Sequence, residues 1–131
     1  MMPLPPVIKK LQERACQIRK LEAEAAAILT DNYNLRAYHD LLEQKARILH
    51  DISDLGRDLT WDLDIDLQKL LRDRLGGFSH AALKALHLDS VFYMAALLYP
   101  ENYQPGTKND LEIFIDTLGG LSKVTNNERE I

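Results

Sequence analysis

The chain reads as an all-α protein, a compact helical bundle of about five helices opened by a long antiparallel helical hairpin. Three observations carry this. Residues 7 to about 30 are strong helix formers without an interior Gly or Pro. Apolar residues recur at helical spacing through two successive segments of more than twenty residues. The one stretch that alternates like a strand, Leu59, Trp61, Leu63, Ile65 and Leu67, has no partner elsewhere, and a lone strand is not stable.

The prolines at the N-terminus, Pro3, Pro5 and Pro6, predict an extended lead-in. The first helix follows, and at 100° per residue Leu11, Ile18, Leu21, Ala25, Ile28 and Leu29 share one third of its circumference. Thr30 to Asn34 supply turn and N-cap chemistry. A second helix runs from about 34 to 55 with the seam Tyr38, Leu41, Leu42, Ile48, Leu49, Ile52 and Leu55, and Gly56 is placed to end it. Two long helices with a short connection make a hairpin over 7–56.

Residues 60–123 complete the bundle with shorter helices. Aspartates in a first turn are favoured by the helix dipole, so the third helix starts between Thr60 and Asp62 and stops at Gly76-Gly77. Ser79 can cap the next, which holds the apolar run 91–99 as a core element and breaks near Leu88-Asp89-Ser90. Residues 100–108 form a loop around Pro105-Gly106. Asn109 and Glu112 have capping-box spacing, and the last helix continues to Gly119-Gly120, leaving 124–131 as a polar tail. The pattern Asp73 to Ser79 returns as Asp116 to Ser122, which glycine helix stops followed by a capping serine explain without an internal repeat.

The 131 residues carry a net charge of −4 and a single cysteine, Cys16. One cysteine allows neither an intrachain disulfide nor a four-thiolate metal site and favours a reducing, cytoplasmic setting. The longest apolar run falls well short of the ~20 residues a membrane span needs. The charge is uneven: +2 over 1–50, −5 over 51–66 and −1 over 67–131. That balance disfavours a phosphate-binding surface. Asp58, Asp62, Asp64 and Asp66 instead form an acidic patch suited to a basic protein partner.

His39, Glu43, His50 and Asp54 fall within about 60° on the second helix, a spacing that can bind a transition metal. They lie opposite the apolar seam, so the preferred reading is a solvated face. Asp62-x-Asp64-x-Asp66 resembles the start of a calcium loop, but Leu67 stands where the sixth-position glycine is required. No cofactor is expected. Cys16, Ala23 and Ala27 cluster within about 40° on a second flank of the first helix, where small residues admit another helix. Either this helix lies inside the bundle or the flank is a dimer surface, and a homodimer through the hairpin faces is expected. His87, beside Leu86 and Leu88, reads as a core or boundary histidine.

Arg74-x5-His80 resembles the arginine–histidine signature of HEPN-type ribonucleases, small all-helical proteins in which a dimer brings two such motifs together over RNA. The resemblance implies that His80 assists proton transfer at the ribose 2′-hydroxyl and that Arg74 stabilises the phosphate. Leu75 follows the arginine where that family usually has a polar residue. Phosphate-binding glycine loops, GxSxG, HExxH and CxxC do not occur. The reading carried forward is a non-catalytic adaptor or chaperone-like interaction subunit, with the ribonuclease or RNA-binding toxin component as the alternative.

Overall fold

The computed structural model describes residues 4–31, 34–58 and 63–130. Side chains are described over 6–31, 34–57 and 63–121. Six helical segments follow one another: α1 Leu4–Asp31, α2 Leu35–Asp51, α3 Ser53–Asp58, α4 Ile65–Leu88, α5 Val91–Ala96 and α6 Asp110–Glu130. No strand occurs among the described residues.

Helix α1 begins three residues earlier than its apolar pattern suggests, because Pro5 and Pro6 occupy the first turn, where a missing N–H is not needed. Its buried stripe is Val7, Leu11, Ala15, Ile18 and Ala25. Asn34 caps α2 by accepting from Ala37 N at 3.0 Å, and α2 folds back along α1 as the expected hairpin. Near Ile52 the helix tightens into i→i+3 bonds, with Ile52 N donating to Leu49 O at 3.3 Å, before continuing as α3. Gly56 therefore ends nothing. It lies inside α3 and is buried; an added Cβ would stand 3.4 Å from Leu75 Cδ1, so this glycine lets α3 pack closely on α4.

Asp64 caps α4, which starts at Ile65 rather than at 60–62 and runs unbroken through Gly76 and Gly77 to Leu88. The glycines do not stop it because the buried residues Leu71, Leu75, Ala82 and Ala85 continue on one face across them; packing outweighs the ~1 kcal/mol per glycine that favours a break. The backbone of α6 likewise passes through Gly119-Gly120, and residues 124–130 are helical instead of a tail. The Asn109–Glu112 capping box forms in both directions, Glu112 N to Asn109 Oδ1 at 3.0 Å and Asn109 N to Glu112 Oε1 at 2.9 Å.

The segment 91–99 departs furthest from expectation. It is helical only to Ala96, and while Met94, Leu97 and Leu98 are buried, Phe92 and Tyr93 are 74% and 53% exposed. Two non-glycine residues in the left-handed region bracket this short helix, Asp89 at φ 49° and Leu98 at φ 77°. Burial holds Leu98 in a conformation bulky side chains avoid. Helix α2 lies centrally, packed on α1, α4 and α5, and α6 closes the far side of α1. Phe78 and Phe114 meet edge to face at 6.2 Å and join α4 to α6.

Candidate functional site

Helix α5 is fixed at both ends to α2 while its outer face stays open. The tie at its C-terminal end is Lys45. The α2 seam steps 38, 42, 45, 49, 52 at spacings of four and three, and Lys45 occupies the middle position with its side chain wholly buried. Its Nζ lies 2.9 Å from Glu22 Oε2 on α1 and donates to the carbonyl of Ala95 at 3.1 Å. It stands 5.1 Å from the centre of the Tyr99 ring. Burial pushes the ammonium below the ordinary lysine range, and Glu22 opposes that shift.

The network extends from this pair. The Tyr99 hydroxyl donates to Glu22 Oε1 at 2.6 Å and accepts from Arg19 Nη1 at 3.1 Å. Arg19 also donates to both carboxylate oxygens of Glu112, at 3.1 and 2.7 Å, and to Thr107 O at 3.1 Å. These bonds hold the Glu112 carboxyl below its usual value, opposed by burial. Desolvation and the bond to Glu22 raise the Tyr99 phenol. Four segments, α1, α2, the end of α5 and the start of α6, thus converge on one cluster. Beside it a groove of about 630 Å³ opens between α1, α2 and the Tyr103–Gly106 loop. Its charged groups satisfy one another and leave the groove's remaining walls mainly alanine, leucine and tyrosine.

The tie at the N-terminal end is His39. Its Nε2 lies 2.7 Å from Oδ1 of Asp89, the left-handed residue joining α4 to α5. Chiefly through this bond the imidazole is held above its ordinary pKa. Its Nδ1 faces Asp40 and Glu43 at 3.6 and 3.8 Å, and these three residues are the metal-sized cluster among the described residues. Glu43 also pairs with Arg47.

Between these ties the exposed face carries Val91, Phe92 and Tyr93, continued onto α4 by Leu88. Phe92 and Tyr93 contact edge to face at 5.5 Å. A depression of about 450 Å³ lined by Tyr38, Val91, Phe92, Ala95 and Ala96 lies on the α2 side. On the α4 side a groove of about 400 Å³ runs past Lys84, Leu88 and Tyr93.

The residues singled out in the sequence are placed as follows. Of the four metal candidates only His39 and Glu43 approach each other; His50 pairs with Asp51, and Asp54 with Arg57. Cys16, Ala23 and Ala27 are exposed, so that flank of α1 is not covered by the bundle. Asp62 and the side chain of Asp58 lie outside the described residues, while Asp64 caps α4 and Asp66 stands exposed in its first turn. Arg74 and His80 are both exposed on one continuous helix instead of at a helix junction. Six residues set them about 120° apart and about 9 Å along the axis. The Arg74 guanidinium lies over Phe78 and Phe114, at 5.5 and 5.3 Å. His87 is exposed and belongs to no core.

Sequence reasoning missed Lys45, whose signal was a charged residue in register with an apolar seam. It placed the break near Leu88-Asp89-Ser90 but missed the open outer face of α5, because apolar composition alone does not reveal which face of a short helix is covered. Comparison with known proteins finds no matching family model and no significant match among curated proteins or solved structures. No described helix is long and apolar enough to cross a membrane.

Proposed function

We propose that the chain is a non-catalytic protein-interaction subunit of adaptor or chaperone-like kind that receives its partner on the α4–α5 corner. The single observation that carries this reading is the outward placement of Phe92 and Tyr93 on a helix tied down at both ends. Large aromatics left in water on a rigid support lose little conformational freedom on binding and are the side chains from which interface hot spots are built. A contiguous exposed apolar patch of this kind marks an interaction site more often than chance. The lone Cys16 fits a cytoplasmic setting.

Site-specific photocrosslinking tests the reading. A benzophenone amino acid at Leu88, which borders the patch, should give a discrete covalent adduct in cells. That adduct should vanish in a Phe92→Ser background and not arise from the same probe at the exposed Lys9 on α1. Equal labelling from positions 88 and 9 would overturn the proposal.

A further inference from the structure

Helical periodicity predicts a solvated face at the turn of α2 that holds His39. The structure lays a carboxylate from elsewhere in the chain against it: Asp89, at the joint of α4 and α5, accepts the hydrogen bond of His39 Nε2 at 2.7 Å. That bond settles which ring nitrogen is left over. With the proton of a neutral imidazole on Nε2, the lone pair of Nδ1 faces Oδ1 of Asp40 at 3.6 Å and Oε2 of Glu43 at 3.8 Å. We propose that His39 Nδ1, Asp40 and Glu43 bind a divalent transition metal of the zinc type, with Asp89 behind the histidine as the carboxylate that orients it.

Three features of the site carry this. The first is spacing. The donor atoms of His39, Asp40 and Glu43 all lie within 4.8 Å of one another. Tetrahedral zinc with bonds of about 2.0–2.2 Å sets its ligands roughly 3.4 Å apart, so side-chain rotation closes the set without moving the helix. The second is the outer shell. A histidine that ligates a metal donates its other ring N–H to a carboxylate or carbonyl, which fixes the tautomer and strengthens the ligand. Asp89 does this from a joint of the chain that the periodicity of α2 could not bring to mind. Arg47 steadies Glu43 in the same way, donating to Oε1 from both Nε and Nη2 and leaving Oε2 to face the imidazole. The third is charge. Around a neutral His39, the carboxylates of Asp40, Glu43 and Asp89 and the guanidinium of Arg47 leave two net negative charges, which one divalent cation matches.

An imidazole among the donors favours zinc and its neighbours over magnesium and calcium, which prefer oxygen ligands. Asp40 is 60% exposed, so an ion reaches the site from solvent and the fourth position stays open to water. When no metal is bound, a proton on Nδ1 takes its place and the imidazolium lies among the same carboxylates; metal binding sends that proton to solvent. The site is independent of whatever docks on the α4–α5 corner.

Calorimetric titration of the EDTA-dialysed full chain with zinc chloride tests the proposal, with circular dichroism melts in EDTA confirming that each variant is folded. One zinc per chain is expected, and saturating zinc should raise Tm. Asp89→Gly suits the left-handed backbone there and removes the orienting carboxylate; it should weaken binding about 10–100-fold. Loss of the ligands themselves, in His39→Ala or in Asp40→Asn with Glu43→Gln, should weaken it at least as much. Cys16→Ser and His50→Ala should leave the affinity unchanged, and a loss in either as large as that of His39→Ala overturns the assignment. NMR of the ring nitrogens in the zinc-loaded chain should place zinc on Nδ1 and hydrogen on Nε2 of His39. Magnesium bound as tightly as zinc would mean carboxylate attraction alone and overturn the histidine's part, and no zinc binding up to 200 µM would overturn the site.

Discussion

Replacing Glu22 by Gln gives the sharpest test of the buried network. In the wild type Lys45 is wholly buried and Glu22 supplies the carboxylate 2.9 Å away. Glu22→Gln preserves shape and one acceptor but removes the negative charge, so the ammonium must stay buried unpaired or lose its proton. Neutralising an ordinary lysine at pH 7 costs about 4–5 kcal/mol, and breaking buried ion pairs by removing one partner costs about 3–5 kcal/mol. Glu22 is 18% exposed, so water relieves part of the penalty and a loss of about 3 kcal/mol is expected. In a domain of this size that lowers Tm by about 10 °C. The pH dependence has a fixed sign. With the folded-state pKa of Lys45 driven further below its unfolded value, the unfolded chain binds more protons. The variant therefore regains stability as pH rises from neutral towards 10. Glu22→Gln combined with Lys45→Met removes both charges and should recover most of that loss, to within about 1–2 kcal/mol of wild type. The assay is urea unfolding followed by circular dichroism at pH 7 and pH 9.5. A Glu22→Gln loss below 1 kcal/mol, or a double-variant loss as large as that of Glu22→Gln alone, would refute the reasoning.

Three further outcomes are expected. Because the His39 pKa is raised in the fold, chiefly by Asp89, the bond between them contributes fully below about pH 6.5 and is lost as pH rises through the folded value; Asp89→Asn should return the His39 ring titration followed by NMR towards the ordinary value and flatten the Tm profile between pH 5 and 8. Gly76→Ala and Gly77→Ala should each raise stability by about 0.5–1 kcal/mol in denaturant melts, since both lie inside α4 and an added Cβ meets nothing within 4 Å; destabilisation would show that α4 is broken there in solution. Asn109→Ala should cost about 1–2 kcal/mol, because the side chain that accepts from Glu112 N is 1% exposed and its loss strips the α6 capping box.

The sequence made the helical class, the hairpin and the α6 cap legible, because each rests on local chemistry: apolar periodicity in α1 and α2, and Asn109 with Glu112 at the right spacing. The glycine pairs misled because their preference is local and weak, while the face of α4 that continues across Gly76-Gly77 is buried by helices distant in sequence. Residues 91–99 misled for a related reason. Burial of Met94 and exposure of Phe92 depend on where α2 and α4 lie, and no window of nine residues contains that information. Lys45 was legible in principle, as a charge in register with Leu42 and Leu49, but its partner Glu22 stands on the other arm of the hairpin and only the turn decides whether the two meet.

That pairing also has a meaning for how the hairpin assembles. Two helices with apolar seams at spacings of four and three can slide past each other by a heptad and still bury most of the same surface. Lys45 and Glu22 remove that freedom, since in a slipped pairing the ammonium would enter the seam opposite Ala15 or Leu29 instead of a carboxylate. The ion pair then acts less as glue than as an address: it adds little to the depth of the native well, but it raises the wells on either side. The same ammonium reaches Ala95 and Tyr99, so the register of the hairpin also sets where α5 sits.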